Sequence, residues 1–275
     1  IISGSIPLED RGYTAGIGIS HPALLFVYLL RNSLAQKGVV ITGKSRTTGE
    51  VPVPSVAAVP AAPSVSSVSS AVEIVTLQSP PFSLIAAQTL KPSQNLYTEL
   101  ILRTLGKLTP PPPTTTRSIF NQTSEDLGIE AVKSFLQAAG IRRESLVLND
   151  GSGLSRNDMI TPEATVQLLV FMSKHRFANV FRDALPIAGV DGTLRNRMRG
   201  TPAENNVRAK TGSLSSAASL AGYVTTAAGE KLAFAIMVNN YSREVDPRAA
   251  CIDPIAVLLA SFNDKPLSKD ASSIH

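Results

Sequence analysis

The stretch Arg208-Ala209-Lys210-Thr211-Gly212-Ser213-Leu214 decides how this chain is read, because two apolar or alternating runs follow it, at 217–226 and 231–239. Such runs, separated by the tight-turn dipeptide Ala228-Gly229, predict antiparallel strands. With 206–213 as the first member they form a three-stranded unit that carries Lys-Thr-Gly on its first strand. Composition alone gives that tripeptide in roughly one chain in ten of this length, so its place on a strand edge gives it weight. Residues 248–262 then read as an amphipathic helix able to pack across the sheet.

Upstream, the pattern is helical. Thr161-Pro162-Glu163 starts a helix over 164–174. Thr123 or Ser124 caps another, with Leu127, Val132, Phe135 and Leu136 on its apolar side and Gly140 at its end. Pro92 and Ser93 open a helix over 94–105 that Gly106 closes, and a further helix covers 81–90. Near the start, Ser20 and Pro22 begin a helix with Ala23, Leu24, Val27, Leu30 and Leu34 at helical spacing, stopped by Gly38 and followed by a short strand at 39–42. Order resumes at 72–77, after residues 50–71, where composition falls to Val, Pro, Ala and Ser and reads as a flexible insertion. The tract 109–116, with four consecutive prolines, is a stiff connector. Residues 149–158 form a polar loop, and 191–206 are charged and irregular. The expected class is α+β, a helical cluster beside a terminal antiparallel sheet.

Composition narrows the function. The chain has 275 residues, 43% hydrophobic and 17% charged, enough for a sizeable core. Its net charge of +5 is scattered, with no run of five or six basic residues, which favours a solvated basic surface over a nucleic-acid site and is compatible with an anionic cell envelope. Cys251 is alone, so no intramolecular disulfide forms, and its neighbours Ala249, Ala250 and Ile252 suggest a buried structural thiol. The longest apolar run, 22–30, is too short to span a bilayer. No secretory signal is visible, yet the sequence opens on Ile1-Ile2, which leads us to expect that it starts inside a longer gene product.

Lys-Thr-Gly on a strand edge is one of three signatures of the serine β-lactamases and penicillin-binding proteins, beside a Ser-x-x-Lys nucleophile and a Ser-x-Asn element. Two Ser-x-Asn candidates occur, Ser93-Gln94-Asn95 and Ser155-Arg156-Asn157, and their residues alone do not choose between them. No Ser-x-x-Lys occurs; Thr104-Leu105-Gly106-Lys107 only imitates one at a helix end. Lys210 offers a positive charge to a substrate carboxylate or an active-site hydroxyl, Thr211 and Ser213 offer hydroxyls, and a bare Gly212 lets a peptide backbone lie along the strand.

Three stretches appear in order: Ser79-Pro80-Pro81 through Lys91-Pro92-Ser93-Gln94-Asn95-Leu96-Tyr97-Thr98-Glu99; Asp150-Gly151-Ser152-Gly153-Leu154-Ser155-Arg156; and Asp191-Gly192-Thr193-Leu194 leading to Lys210-Thr211-Gly212-Ser213-Leu214. Together they resemble the class C low-molecular-mass penicillin-binding proteins, the D-alanyl-D-alanine carboxypeptidase/endopeptidase family. The resemblance covers nearly the whole chain except the insertion. It implies that Ser93 and Asn95 are the Ser-x-Asn element, with Gln94 where the family commonly has Asp. It also implies that Ser152 and Arg156 line a pocket for the peptide side chain, and that Ser213 lends an oxyanion-hole N–H next to Thr211, Gly212 and Leu214.

The domains it implies are 1–49 as the tail of an inserted domain with its return helix, 50–72 as the insertion, and 73–275 as the C-terminal part of a transpeptidase-like domain. The implied activity is serine-type cleavage of D-Ala-D-Ala peptides through an acyl-enzyme, with no metal or cofactor, in the periplasm or the wider cell envelope. Peptidoglycan stem peptides are the implied substrates and β-lactams the inhibitors, with no nucleic-acid partner. The Ser-x-x-Lys segment is expected outside this sequence, upstream in the same protein or on another chain, so this chain alone is expected to be inactive. A noncatalytic peptidoglycan-binding protein that lost its nucleophile is the alternative, and a β-lactamase suits the Asp150 to Arg156 loop and the insertion less well.

Overall fold

A computed structural model describes residues 4–9, 12, 18–45, 76–109, 123–242 and 244–264. The expected insertion and nearly all of the proline connector lie outside these residues, as does the start of the order expected at 72–77, whose described end is irregular. The chain divides into two units, Ile1–Ile74 and Val75–His275.

The first unit holds α1 (Pro22–Gln36), with Pro22 in the first turn, where its missing N–H leaves no bond unmade. His21 rather than Ser20 takes the capping position, and no side chain caps the helix. Gly38, at φ 82°, ends the turn beyond it. The strand expected at 39–42 does not form. The Arg31 guanidinium instead donates to the carbonyls of Ile41 and Gly43, each at 2.8 Å, so a side chain of the helix takes up the acceptors that a strand would offer to a partner.

In the second unit, α2 (Phe82–Leu90) leads into α3 (Asn95–Leu108). Gly106 does not close α3, which continues two residues past it. A Cβ on Gly106 would collide with the Ser124 carbonyl, and one on Gly128 with the Leu102 carbonyl. The two glycines therefore let α3 and α4 (Ser124–Ala138) touch backbone to backbone, and packing rather than termination explains Gly106. Thr123 caps α4 in a reciprocal box with Asp126. Leu136 and Val132 of its apolar side join a small core with Ile141, Leu146 and Ala164, while Phe135 stays half exposed and stacks edge-on against Phe171. The short strands β1 (Leu146–Val147) and β2 (Met159–Ile160) pair antiparallel and pinch 148–158 into a closed loop, a feature the sequence pattern did not suggest.

Thr161 caps α5 (Pro162–Lys174), and an unexpected short helix, α6 (Ala178–Ala184), packs on α2 and α5. The strands β3 (Arg208–Leu214), β4 (Ala217–Thr225) and β5 (Lys231–Asn239) then form the antiparallel sheet in that order, with Gly229 at φ 85° in the last turn. Alternation sorts β4 cleanly. Ala218, Leu220 and Val224 face a core shared with Phe234, Ile252, Ala256 and Ala260, while Ser219, Ala221 and Tyr223 face the other side. There Tyr223 packs toward α5 and its hydroxyl donates to the Leu169 carbonyl at 2.7 Å. The terminal helix opens with a π-helical turn (Arg248–Ile252) before α7 (Asp253–Ser261), which covers the first face. Cys251 is half buried rather than buried, its thiol donating to the Pro247 carbonyl. The irregular 191–206 segment is not a surface loop: Leu194 and Ala203 are fully buried in the same core.

Candidate active site

The outer edge of β3 is closed only at its start, where Ala209 N donates to Pro186 O and Arg208 bridges Ile187. From Lys210 to Leu214 no strand among the described residues pairs with it, so this edge stays open to a peptide. It borders a groove of about 1340 Å³, also lined by the start of α3 and the 152–156 loop. Ser93, Asn95, Ser152, Arg156, Lys210, Thr211, Gly212, Ser213 and Leu214 all line it. Neither Thr104 nor Lys107 does, and Thr104 spends its hydroxyl on the Leu100 carbonyl inside α3.

Ser93 and Lys210 meet. The chain turns sharply between α2 and α3, with Gln94 N donating to Thr89 O at 2.9 Å and Ser93 held at φ 62°. A side chain in the left-handed region costs about 1–3 kcal/mol, which the surrounding packing has to offset. In that conformation the Ser93 hydroxyl accepts a 2.7 Å hydrogen bond from Lys210 Nζ, which also donates to the Thr211 carbonyl at 2.7 Å. Burial pushes the Lys210 ammonium below the ordinary lysine range. Because Ser93 Oγ receives its bond from the ammonium, its own proton is free for a bound group. Asn95 opens α3 with an exposed side-chain amide that bonds to no described residue.

A second set of contacts holds this corner, and the sequence reading did not single it out. Lys91 Nζ pairs with Asp191 at 2.6 Å and donates to the Leu185 carbonyl at 3.0 Å, while its own carbonyl accepts Thr193 N at 3.0 Å. Gly192, at φ 56°, runs so close that a Cβ would lie 2.6 Å from that carbonyl. Thr193 is thereby set beside Thr211, and their hydroxyls lie 2.9 Å apart. The ordered Asp191-Gly192-Thr193 motif was the available signal, but its partner is 100 residues away, at Lys91.

The loop at 150–156 folds around one carboxylate. Asp150 accepts Gly153 N at 2.6 Å, Ser155 N at 2.9 Å and the Ser152 hydroxyl at 3.2 Å. Burial raises the nearby Asp158 carboxyl above its usual range. Arg156 reaches out to donate to the Ser215 carbonyl at 3.0 Å, just past β3. Gly212 has a reason inside the sheet that the sequence reading missed, since a Cβ there would strike the Ser219 hydroxyl on β4. Around the groove five cations, Arg156, Arg195, Arg197, Lys210 and Arg248, face one carboxylate, Asp158, which favours an anionic ligand. Arg197 and Arg248 are already paired with Asp253 and Asp246.

The family model of the D-Ala-D-Ala carboxypeptidase 3 (S13) family matches residues 1–262. The chain belongs to that family. A D-alanyl-D-alanine carboxypeptidase of an Actinomadura species is 34% identical over 266 residues, which cover 95% of this chain and 44% of that protein. The D-alanyl-D-alanine carboxypeptidase DacB of Haemophilus influenzae is 45% identical over 121 residues, 43% of this chain and 25% of that protein. Penicillin binding protein 4 (dacB) from the same organism has a similar fold, with a TM-score of 0.55 and 31% identity over 66% of this chain and 40% of that one. Its complex with a β-lactam gives 0.53 and 32%, over 65% and 40%. The chain thus spans less than half the length of these relatives. Its mixed fold, helices with antiparallel sheets, matches the corresponding part of these penicillin binding protein 4 structures. Among the described residues no helix is long and apolar enough to cross a membrane.

Proposed function

We propose that this chain supplies the substrate-holding part of a serine DD-peptidase of the cell envelope, which cleaves D-Ala-D-Ala peptides of peptidoglycan through an acyl-enzyme. The reading rests on the 2.7 Å contact between Lys210 Nζ and Ser93 Oγ at the open edge of β3. In this scheme Lys210 supplies positive charge, Ser93 passes a proton to the leaving nitrogen, and Asn95 binds the substrate amide. The substrate backbone lies along residues 211–214, and the N–H of Ser213 donates to the developing oxyanion. Ser152 and Arg156 read the side chain of the stem peptide. Carboxypeptidase cleavage is the reaction proposed, with endopeptidase cleavage of peptide cross-links as a second one. The nucleophilic serine and its lysine come from residues outside this sequence, and β-lactams act as inhibitors by acylating that serine.

Incubating the complete gene product with a fluorescent penicillin tests this. The expected result is one covalent adduct by mass spectrometry, on a serine outside these 275 residues. No adduct would turn the reading toward a noncatalytic peptidoglycan-binding protein. An adduct on a serine of this chain would remove the roles given to Ser93 and Lys210.

A further inference from the structure

Glu99 lies one turn along α3 from Asn95, and both of its carboxylate oxygens are committed. One accepts Arg103 Nε at 2.6 Å; the other accepts the backbone N–H of Gly151 at 2.9 Å, across 52 residues. Arg103 in turn pairs with Glu125 on α4, so the carboxylate is braced from behind by the helix pair. Gly151 is pressed onto the same turn of α3. A Cβ there would lie 2.9 Å from the Thr98 carbonyl and 3.1 Å from Glu99 Cα. The loop thus has two anchors: its root is fixed to the helix that opens with Asn95, and its tip, through Arg156, to the turn after the strand that carries Lys210.

We infer that Glu99 is a positioning residue that sets the distance between the side-chain-reading loop and the proton-handling corner, and so fixes which stem-peptide side chains are accepted. This rests on the role proposed above for Ser152 and Arg156. The physical case is the charge-assisted bond. An ionised acceptor holding a backbone N–H is stronger than a neutral one, and here it joins a rigid helix to a loop whose other bond beyond itself is that of Arg156 to the Ser215 carbonyl. Asp150 shapes the loop but reaches nothing outside it among the described contacts, so without Glu99 the loop keeps its form and loses the anchor at its root, leaving only Arg156 to place it. Misplacement shows in recognition of the side chain and spares the acylation chemistry at Lys210.

The test uses the full-length enzyme with Glu99→Ala and Glu99→Gln, two matched peptides with and without a side-chain carboxylate, and hydrogen exchange by mass spectrometry over residues 148–158. Glu99→Ala is expected to raise KM for the carboxylate-bearing peptide about tenfold, with kcat and penicillin acylation within about threefold of wild type, and to speed exchange in the loop. Glu99→Gln keeps an oxygen for Gly151 N–H and is expected to retain most of the discrimination. Equal loss of kcat on both peptides, unchanged exchange in Glu99→Ala, or a Gln variant as impaired as Ala would each overturn the inference. Because exchange is measured without turnover, it judges the tether even where no penicillin adduct forms, so failure of the proposed activity and failure of the tether are told apart.

Discussion

In Ser155-Arg156-Asn157 the serine hydroxyl accepts the Asn157 N–H at 3.2 Å, a bond two residues long, whereas in Ser93-Gln94-Asn95 the same atom accepts Lys210 Nζ at 2.7 Å, across 117 residues. The first serine closes a turn that its own neighbours already dictate, and its N–H is held by Asp150. The second is held at φ 62° between two helices and faces a lysine from the sheet. One tripeptide is self-sufficient and the other is completed only by the fold. Local bonds of the first kind recur wherever Ser and Asn meet in a loop; strained backbone with a long-range cationic partner is where chemistry is expected.

The comparison breaks most visibly at Lys210. In the full-length enzyme, Lys210→Ala is expected to slow acylation by penicillin ~10²–10³-fold, about 2.7–4 kcal/mol of barrier, comparable to the loss of one preorganised donor. A rate within threefold of wild type would reduce Lys210 to a strand residue. Its depressed pKa adds a pH signature. The proton leaves folded Lys210 below the reference value of 10.5, so a reaction that needs the ammonium loses rate at a midpoint under 10.5. Stability moves the other way. Between the lowered folded pKa and 10.5 the unfolded chain binds more protons, so this residue's contribution to folding rises with pH in that window, and Lys210→Met removes that slope from thermal melts.

Ser93→Ala comes next, with a loss of ~10²-fold in turnover on all D-Ala-D-Ala peptides alike, because each needs its leaving group protonated. Arg156→Ala sharpens the contrast by sparing simple peptides and penalising those with a side-chain carboxylate, about tenfold in kcat/KM. A uniform loss from Arg156→Ala with a wild-type Ser93→Ala would exchange the roles of the two elements. The smallest effect belongs to Ser155→Ala. It removes one local bond, and we expect about 0.5–1 kcal/mol in denaturant melts with kcat/KM within about threefold. A loss as large as that of Ser93→Ala would erase the distinction between the two tripeptides.

Sequence alone determined the features whose causes are local. The apolar or alternating runs at 217–225 and 231–239, separated by Ala228-Gly229, marked two strands because short apolar runs about a tight turn form a hairpin, and Thr161-Pro162 and Thr123 marked helix starts because capping is a matter of three or four residues. Ordered motifs were enough to indicate the family, since no single tripeptide had to carry the claim. Tertiary structure alone decided what depends on partners distant in sequence. Gly106 has the appearance of a stop signal until α4 lies against it, and 39–42 has that of a strand until Arg31 takes its carbonyls. Gly212 answers to Ser219, and Thr193 reaches Thr211 only because Lys91 holds its loop. Ser93 is an ordinary helix-start serine in the sequence; its place beside Lys210 comes from packing that outweighs the strain in its own backbone.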